Sequence, residues 1–120
     1  MIQRAMFVLA VPNLEKSAQF YRDVLGFEIQ EIGDPGWRIY MRDGVQIMAG
    51  DCPEAIAPAD LGDHAYYAYF VVADAQAYHY EVVSRGAEIL KAIRDEPWGM
   101  REFAIRTADG HRIMVGQELQ

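Results

Sequence analysis

The side chains of this chain best suited to contact a small molecule lie in the stretch PWGMREFAIRTADG, which begins at Pro97. Trp98 offers a flat ring on which a planar ligand could stack. Glu102 follows in a segment of alternating polarity and is expected to face away from the core, where it could act as a general base. A structural ion pair with Arg101 or Arg38 explains the presence of Glu102 at this position equally well.

The remaining polar residues form no recognisable catalytic set. The three histidines, His64, His79 and His111, have no ligand-like spacing with a carboxylate, and no serine or cysteine is placed as a nucleophile. Cys52 is the only cysteine and allows no disulfide within the chain. The sequence therefore predicts no catalytic residue and favours a non-enzymatic role.

Length, composition and charge limit the class of protein. At 120 residues, 52% of them hydrophobic, the chain is long enough for one compact domain with a core. A net charge of −7 argues against nucleic-acid binding, which needs stripes of Lys and Arg, and is compatible with a cationic ligand. No apolar run is long enough to cross a membrane, so a cytoplasmic location is expected.

An eight-residue phrase occurs twice and determines the expected architecture. DGVQIMAG begins at Asp43 and DGHRIMVG begins at Asp109, 66 positions later. Both fit the form DGxxIMxG, so the chain is predicted to contain two copies of one supersecondary unit.

Each copy has the pattern β-α-β-β-β. Asn13 and Asp74 are good N-caps, and Gly26 and Gly86 end the two helices. The fold class is thus α+β, with two tandem units forming a cupped sheet and the helices on its outer face. The units span about 1–50 and 64–120 of a single domain, joined by a linker at about 51–63. The predicted strands are 6–11, 27–32, 37–42, 45–49, 66–72, 87–92, 100–107 and a last strand that carries Ile113 and Val115.

Two stretches resemble a known superfamily. VPNLEKSAQFYRDVLGF from Val11 and PWGMREFAIRTADG from Pro97 are similar to the glyoxalase/bleomycin resistance/extradiol dioxygenase proteins, also called vicinal oxygen chelate proteins. Within that superfamily, the PWGxREF phrase and the aromatic strand at Tyr66–Phe70 most resemble the bleomycin-resistance proteins. Those are non-catalytic, dimeric, drug-sequestering proteins. The resemblance implies a homodimer in which paired units build the cups, with exchange of the first strand left open.

The same resemblance implies four positions that hold a metal in the metal-dependent members. They match Met6, Met48, Tyr67 and Met114. None of these is an imidazole or carboxylate ligand of the kind that Zn²⁺, Fe²⁺ or Mn²⁺ requires, so no metal and no cofactor are expected. The alternative is a metal-dependent glyoxalase- or dioxygenase-like lyase or oxidoreductase whose ligands lie in another register.

Strand alternation predicts which side chains line the cup. The expected ligand-binding residues are Met6, Trp37, Met48, Tyr67, Tyr69, Trp98, Glu102 and Met114. The two tryptophans either stack on a planar ligand or cover the edge of the core. An acidic rim is expected from Glu28, Glu31, Asp34, Asp51 and Asp60. The predicted partner is a flat aromatic or cationic small molecule, and a small structural or regulatory domain without a ligand is the third possibility.

Overall fold

The computed structural model describes residues 1–62 and 64–120 and divides into two compact units. Unit 1 is Met1–Ile56 and unit 2 is Ala57–Gln120. Over the described residues each unit has four strands and one α-helix in the order β-α-β-β-β, which confirms the α+β class and the repeat. Asp63, part of the predicted linker, lies outside the described residues. That the two units form a single domain stays a prediction.

The bounds of the elements follow the repeat. In unit 1 they are β1 (Phe7–Val11), α1 (Leu14–Asp23), β2 (Glu28–Glu31), β3 (Trp37–Arg42) and β4 (Val45–Asp51). In unit 2 a short 3₁₀ helix (Pro58–Leu61) precedes β5 (Tyr66–Val71), α2 (Ala75–Ser84), β6 (Glu88–Glu96), β7 (Met100–Arg106) and β8 (Arg112–Glu118).

The two sheets have the same topology. The strand orders are β1-β4-β3-β2 in unit 1 and β5-β8-β7-β6 in unit 2. In each sheet the first strand runs parallel to the last, and the remaining neighbours are antiparallel. The parallel pair requires a crossover, which the helix provides.

Both helices begin in the same way. Asn13 and Asp74 each cap the first turn by accepting a backbone N–H at 3.0 Å. At each helix start, a side chain from the last strand of the unit accepts a further backbone N–H. Asp51 accepts from Leu14 of α1, and Gln117 accepts from the first residue of α2. Because Asp51 and Gln117 occupy equivalent repeat positions, each unit ties its helix to its last strand by the same device.

One face of each sheet packs against the helix of its own unit. In unit 1 the buried Tyr40 donates its hydroxyl to Ser17 of α1 at 2.8 Å. In unit 2 the core side chains on this face are Ala68, Phe70, Phe103, Ile105, Ile113 and Val115. The alternate residues of each strand point to the opposite face, called here the open face of that unit.

The end of β6 in unit 2 differs from the sequence prediction. β6 continues to Glu96, whereas alternation suggested an end at Ala92. Pro97–Gly99 is therefore the turn that joins β6 to β7. The predicted pattern failed because β6 contains two register shifts that interrupt its alternation. In residues 1–62 and 64–120, no helix has the length and apolar character needed to span a bilayer.

Candidate ligand-binding site

On the open face of unit 2, three side chains donate hydrogen bonds to the carboxylate of a fourth. Glu102 of β7 is buried and accepts hydrogen bonds from Tyr69 of β5, Lys91 of β6 and Trp98 of the β6–β7 turn. These four residues are called the Glu102 network below. Three of them were predicted as ligand-binding residues from the sequence, and Lys91 was not.

Tyr69 reaches Glu102 by crossing the strand between them. Its neighbours Ala68 and Phe70 are buried towards the helix, so Tyr69 points to the open face. β8 lies between β5 and β7, and Gly116 of β8 stands directly opposite Glu102. A Cβ on Gly116 would lie 2.7 Å from Cζ of Tyr69, so the phenol needs a glycine beneath it.

Lys91 reaches the open face through a bulge in β6. Ile89 pairs with the helix-facing Ile105, and regular alternation would place Lys91 on that same face. A register shift after Ile89 instead pairs Lys91 with Ala104, on the face of Glu102. One extra residue in a strand moves the side chains that follow it to the opposite face of the sheet. The bulge after Ile89 therefore places the Lys91 ammonium group beside Glu102.

The tight turn at Pro97–Gly99 fixes Trp98. Gly99 has φ of +84°, which favours glycine, and its N–H donates to the carbonyl of Glu96 at 3.1 Å. The indole Nε1 of Trp98 then donates to Oε2 of Glu102 at 3.0 Å. Trp98 is nevertheless 62% exposed, so its orientation is fixed while its ring remains accessible.

The carboxylate of Glu102 is nearly saturated with donors. Oε2 accepts from Tyr69 at 2.6 Å and from Trp98 at 3.0 Å, while Oε1 accepts from Lys91 at 2.7 Å. Burial acts to raise the pKa of Glu102, but the hydrogen bonds from Lys91, Trp98 and Tyr69 together hold that pKa below its usual value. Burial and the adjacent Glu102 carboxylate raise the pKa of Tyr69. The network therefore contains an ionised carboxylate and a neutral phenol at neutral pH.

A second carboxylate lies beside the network. Glu96 is buried and accepts a hydrogen bond from Arg94, and its Oε1 lies 3.3 Å from Nζ of Lys91. The Arg94 bond, helped by Lys91, lowers the pKa of Glu96 against the opposing effect of burial. The Lys91 ammonium also lies 5.5 Å from the centroid of the Trp98 ring, within cation–π range.

In unit 1 an aromatic ring also lies over the final glycine of the repeat. Trp37 lies across Gly50 of the neighbouring strand, and a Cβ on that glycine would lie 2.7–2.9 Å from three atoms of the indole ring. Met48, also predicted as a ligand contact, pairs with Val8 on one side and Ile39 on the other. The register makes Trp37 the counterpart of Glu102, because each stands opposite the final glycine of its repeat.

The remaining sequence predictions have the following outcome. Met114 stands beside Tyr69 in the register of β5 and β8, next to the network. Tyr67 packs edge-on against His111 with ring centroids 5.7 Å apart, and Met6 immediately precedes β1. Ligand contact by all the predicted residues stays a prediction.

The suggested pairing of Glu102 with Arg101 or Arg38 is wrong. Arg101 binds Asp95 at 2.7 Å, and Arg38 binds Glu15 at 3.0 Å. Arg101 pairs with Gln117 in the sheet and so lies on the helix-facing side, which separates it from its neighbour in sequence.

Comparison with known proteins identifies the family. A family model described as Glyoxalase/Bleomycin resistance protein/Dioxygenase superfamily matches residues 3–115. The chain belongs to this superfamily. The resemblance noted in the sequence is thereby confirmed.

Solved structures of the superfamily fold include binding proteins and enzymes. The structure titled TnmS3, an antibiotic binding protein from Streptomyces sp. CB03234, superposes with a TM-score of 0.74 at 19% identity, covering 98% of both chains. A glyoxalase-related enzyme from Clostridium phytofermentans gives a TM-score of 0.78 at 17% identity, covering 99% of this chain and 97% of that one. At such low identity these matches show the shared fold alone.

A curated relative in Mycobacterium bovis, the protein Mb0911c, is 26% identical over 85 residues. The match covers 71% of this chain and 55% of the relative. The chain thus spans about half the length of the curated relatives it matches.

The superfamily implies a metal ion in its metal-dependent members, and the donors here do not fit one. The positions that the sequence resemblance assigns to metal ligands carry the thioethers Met6, Met48 and Met114 and the phenol Tyr67, which do not suit Zn²⁺, Fe²⁺ or Mn²⁺. Glu102 has both carboxylate oxygens engaged by donors. Within the described part of the chain, no three His, Cys, Asp or Glu side chains are grouped to hold a metal.

Proposed function

We propose that this protein binds a flat aromatic small molecule on the open face of unit 2, without a resident metal ion. The observation that carries this proposal is the Trp98–Glu102 hydrogen bond of 3.0 Å, which holds a 62% exposed indole in one orientation. Fixing a ring before the ligand arrives lowers the entropic cost of binding. Tyr69, 43% exposed and held by the same carboxylate, provides a second aromatic surface.

Sequestration is the biological role that fits such a site. The network orients rings, its lysine is engaged by the carboxylates of Glu96 and Glu102, and the lowered pKa of Glu102 makes it a weak general base. The antibiotic-binding description of TnmS3 belongs to that protein, and its fold supports a similar role here by analogy. A cytoplasmic location, as expected from the sequence, is part of the proposal. The alternative of a metal-dependent enzyme would require a ligand set that Met6, Met48, Tyr67 and Met114 do not supply.

The proposal includes a homodimer. β1 and β2 are the edges of the first sheet, and β5 and β6 are the edges of the second. Exposed apolar side chains lie on two of these edge strands, with Val8 on β1 and Val71 on β5. Edges and apolar patches of this kind are commonly covered by association. Light scattering should give twice the monomer mass at micromolar concentration, and a monomer would exclude this part of the proposal.

Calorimetric titration with a panel of planar aromatic compounds tests the binding function. At least one compound should bind with 1:1 stoichiometry per chain. Trp98→Ala should weaken that binding by on the order of 1–3 kcal/mol, through lost stacking and burial. Tyr80→Ala is the matched control, because it removes an exposed aromatic residue from α2. Equal affinities for the wild type and Trp98→Ala would contradict the proposed site.

A further inference from the structure

The charges around the Glu102 network are arranged in two layers. The carboxylate-bearing side chains of Glu96 and Glu102 are only 2% and 5% exposed. The cationic side chains that bind them, Lys91 and Arg94, are 24% and 69% exposed. The formal charges of these two carboxylates and two cations sum to zero, but the exposed side chains are the positive ones. The local surface is therefore positive, whereas the net charge of the whole chain is −7.

The register of β6 produces this layering. The first shift pairs Lys91 with Ala104, and the second pairs Arg94 with Glu102. Without the second shift, Ile93 would stand opposite Glu102, and the exposed guanidinium would leave this face. Two bulges thus place two cations above two buried carboxylates on the same open face.

Within residues 1–62 and 64–120, Lys91 has acceptors for two of its three hydrogen-bond donors. An ammonium group carries three N–H donors, and Nζ lies 2.7 Å from Glu102 Oε1 and 3.3 Å from Glu96 Oε1. The third donor is left for a ligand, on a nitrogen 5.5 Å from the Trp98 centroid. A planar molecule stacked on the accessible part of that ring can bring an acceptor at its edge to Nζ.

Three of the five acidic residues predicted to form a rim are engaged within unit 1. Asp51 accepts the first N–H of α1, and Asp34 accepts the N–H of Gly36 at 2.8 Å. Glu31 lies 4.0 Å from Arg38. These three acidic residues belong to unit 1 and have partners there.

We infer that the site selects flat aromatic ligands that carry an anionic acceptor, such as a carboxylate or phenolate, and that Lys91 is the residue that determines this selectivity. The inference rests on the proposed function and names its ligand class. A cationic ligand at the same position would be repelled by Lys91 and Arg94, which are more exposed than either carboxylate. A hydrogen bond between two charged groups is stronger than one between neutral groups, so an anionic acceptor on the ligand increases its affinity for Lys91.

Three probes that share one ring system test the selectivity: naphthoate, naphthylmethylammonium and the neutral naphthylmethanol. Calorimetric dissociation constants are measured on the wild type, Lys91→Met, Lys91→Arg and the exposed control Lys16→Met on α1. The wild type should bind naphthoate about tenfold more tightly than naphthylmethylammonium. Lys91→Met should weaken naphthoate binding relative to naphthylmethanol binding and abolish this ratio, while Lys91→Arg and Lys16→Met should keep it.

Lys91→Met leaves Glu102 with one donor fewer and could impair folding. The double variant Lys91→Met/Glu102→Gln removes both charges and should show the same loss of preference for naphthoate. Equal wild-type binding of naphthoate and naphthylmethylammonium, or a ratio unchanged in Lys91→Met, would overturn the inference and leave the proposed function standing. Failure of all three probes to bind the wild type would count against the proposed function and the inference together.

Discussion

Tyr69 donates its hydroxyl to Glu102 at 2.6 Å by passing over Gly116, which lies on the strand between them. In unit 1 the ring over the equivalent glycine, Gly50, is that of Trp37, which comes from the adjacent strand β3. Both glycines end the repeated DGxxIMxG phrase, so the repeat keeps a glycine beneath an aromatic ring in each unit. In unit 2 this crossing links β5 to β7 and brings a phenol to the buried carboxylate.

Gly116→Ala should disrupt this crossing. The new methyl group would collide with the Tyr69 ring and displace its hydroxyl from Glu102. Because a buried carboxylate would lose one of its donors, the free energy of unfolding should fall by about 1–3 kcal/mol. Chemical denaturation measures this change.

Gly44→Ala is the matched control for that experiment. Among the described residues, no neighbouring atom lies within 4 Å of the Cβ position at Gly44, and its φ is outside the left-handed region. Its effect should stay within about 0.5 kcal/mol. Equal losses in the two variants would show that the crossing over Gly116 does not contribute specifically.

Glu102→Gln should change the response of stability to acid. The pKa of Glu102 is lowered in the folded state from an ordinary value of 4.5, so its stabilising contribution is present above pH 4.5 and is lost as the pH falls through the folded pKa. Glutamine does not titrate, and the variant should lose less stability between pH 5 and acid than the wild type does. Parallel denaturation curves over this range measure the difference, and identical pH slopes would contradict the assigned pKa shift.

Trp98→Phe separates the hydrogen bond of the indole from its ring surface. Phenylalanine retains an aromatic face but cannot donate to Glu102. The affinity for a planar ligand should fall by roughly two- to tenfold, because the ring is no longer held in one orientation. Calorimetry should find the highest affinity for the wild type, a lower one for Trp98→Phe and the lowest for Trp98→Ala. If Trp98→Phe binds as weakly as Trp98→Ala, the whole effect of Trp98 is due to its hydrogen bond.

Removal of divalent metal should have no effect on stability. The donors at Met6, Met48, Tyr67 and Met114 do not suit such ions, so EDTA should leave the melting temperature unchanged and elemental analysis should find no stoichiometric Zn, Fe, Mn or Ni. A stoichiometric ion whose removal lowers the melting temperature would restore the alternative of a metal-dependent enzyme.

Much of this architecture could be predicted from the sequence because its signals are local or repeated. The repeated phrase predicted two equivalent units, and the N-caps Asn13 and Asp74 marked both helix starts. Strand alternation correctly placed Tyr69 and Glu102 opposite the helix-facing core. These features depend on periodicities that the chain displays directly.

Lys91 escaped prediction because its position depends on the register between two strands. Counting from Ile89 by alternation puts Lys91 on the helix-facing side, and only the pairing with Ala104 shows that it faces the other way. Because of the same register shifts, alternation in the sequence predicted a β6 that ends before Glu96 and did not identify the turn to β7 at Trp98. A bulge is set by the fit of a strand to its partner, which a single segment does not reveal.

The most direct test of the account follows the two indole N–H signals by NMR during titration with a planar aromatic ligand. The chain has two tryptophans, so Trp37→Phe and Trp98→Phe assign both signals. The account predicts that the Trp98 signal shifts saturably, with the dissociation constant measured by calorimetry, because its N–H is held by Glu102 at the site. Saturable binding by calorimetry with an unmoved Trp98 signal would contradict the account.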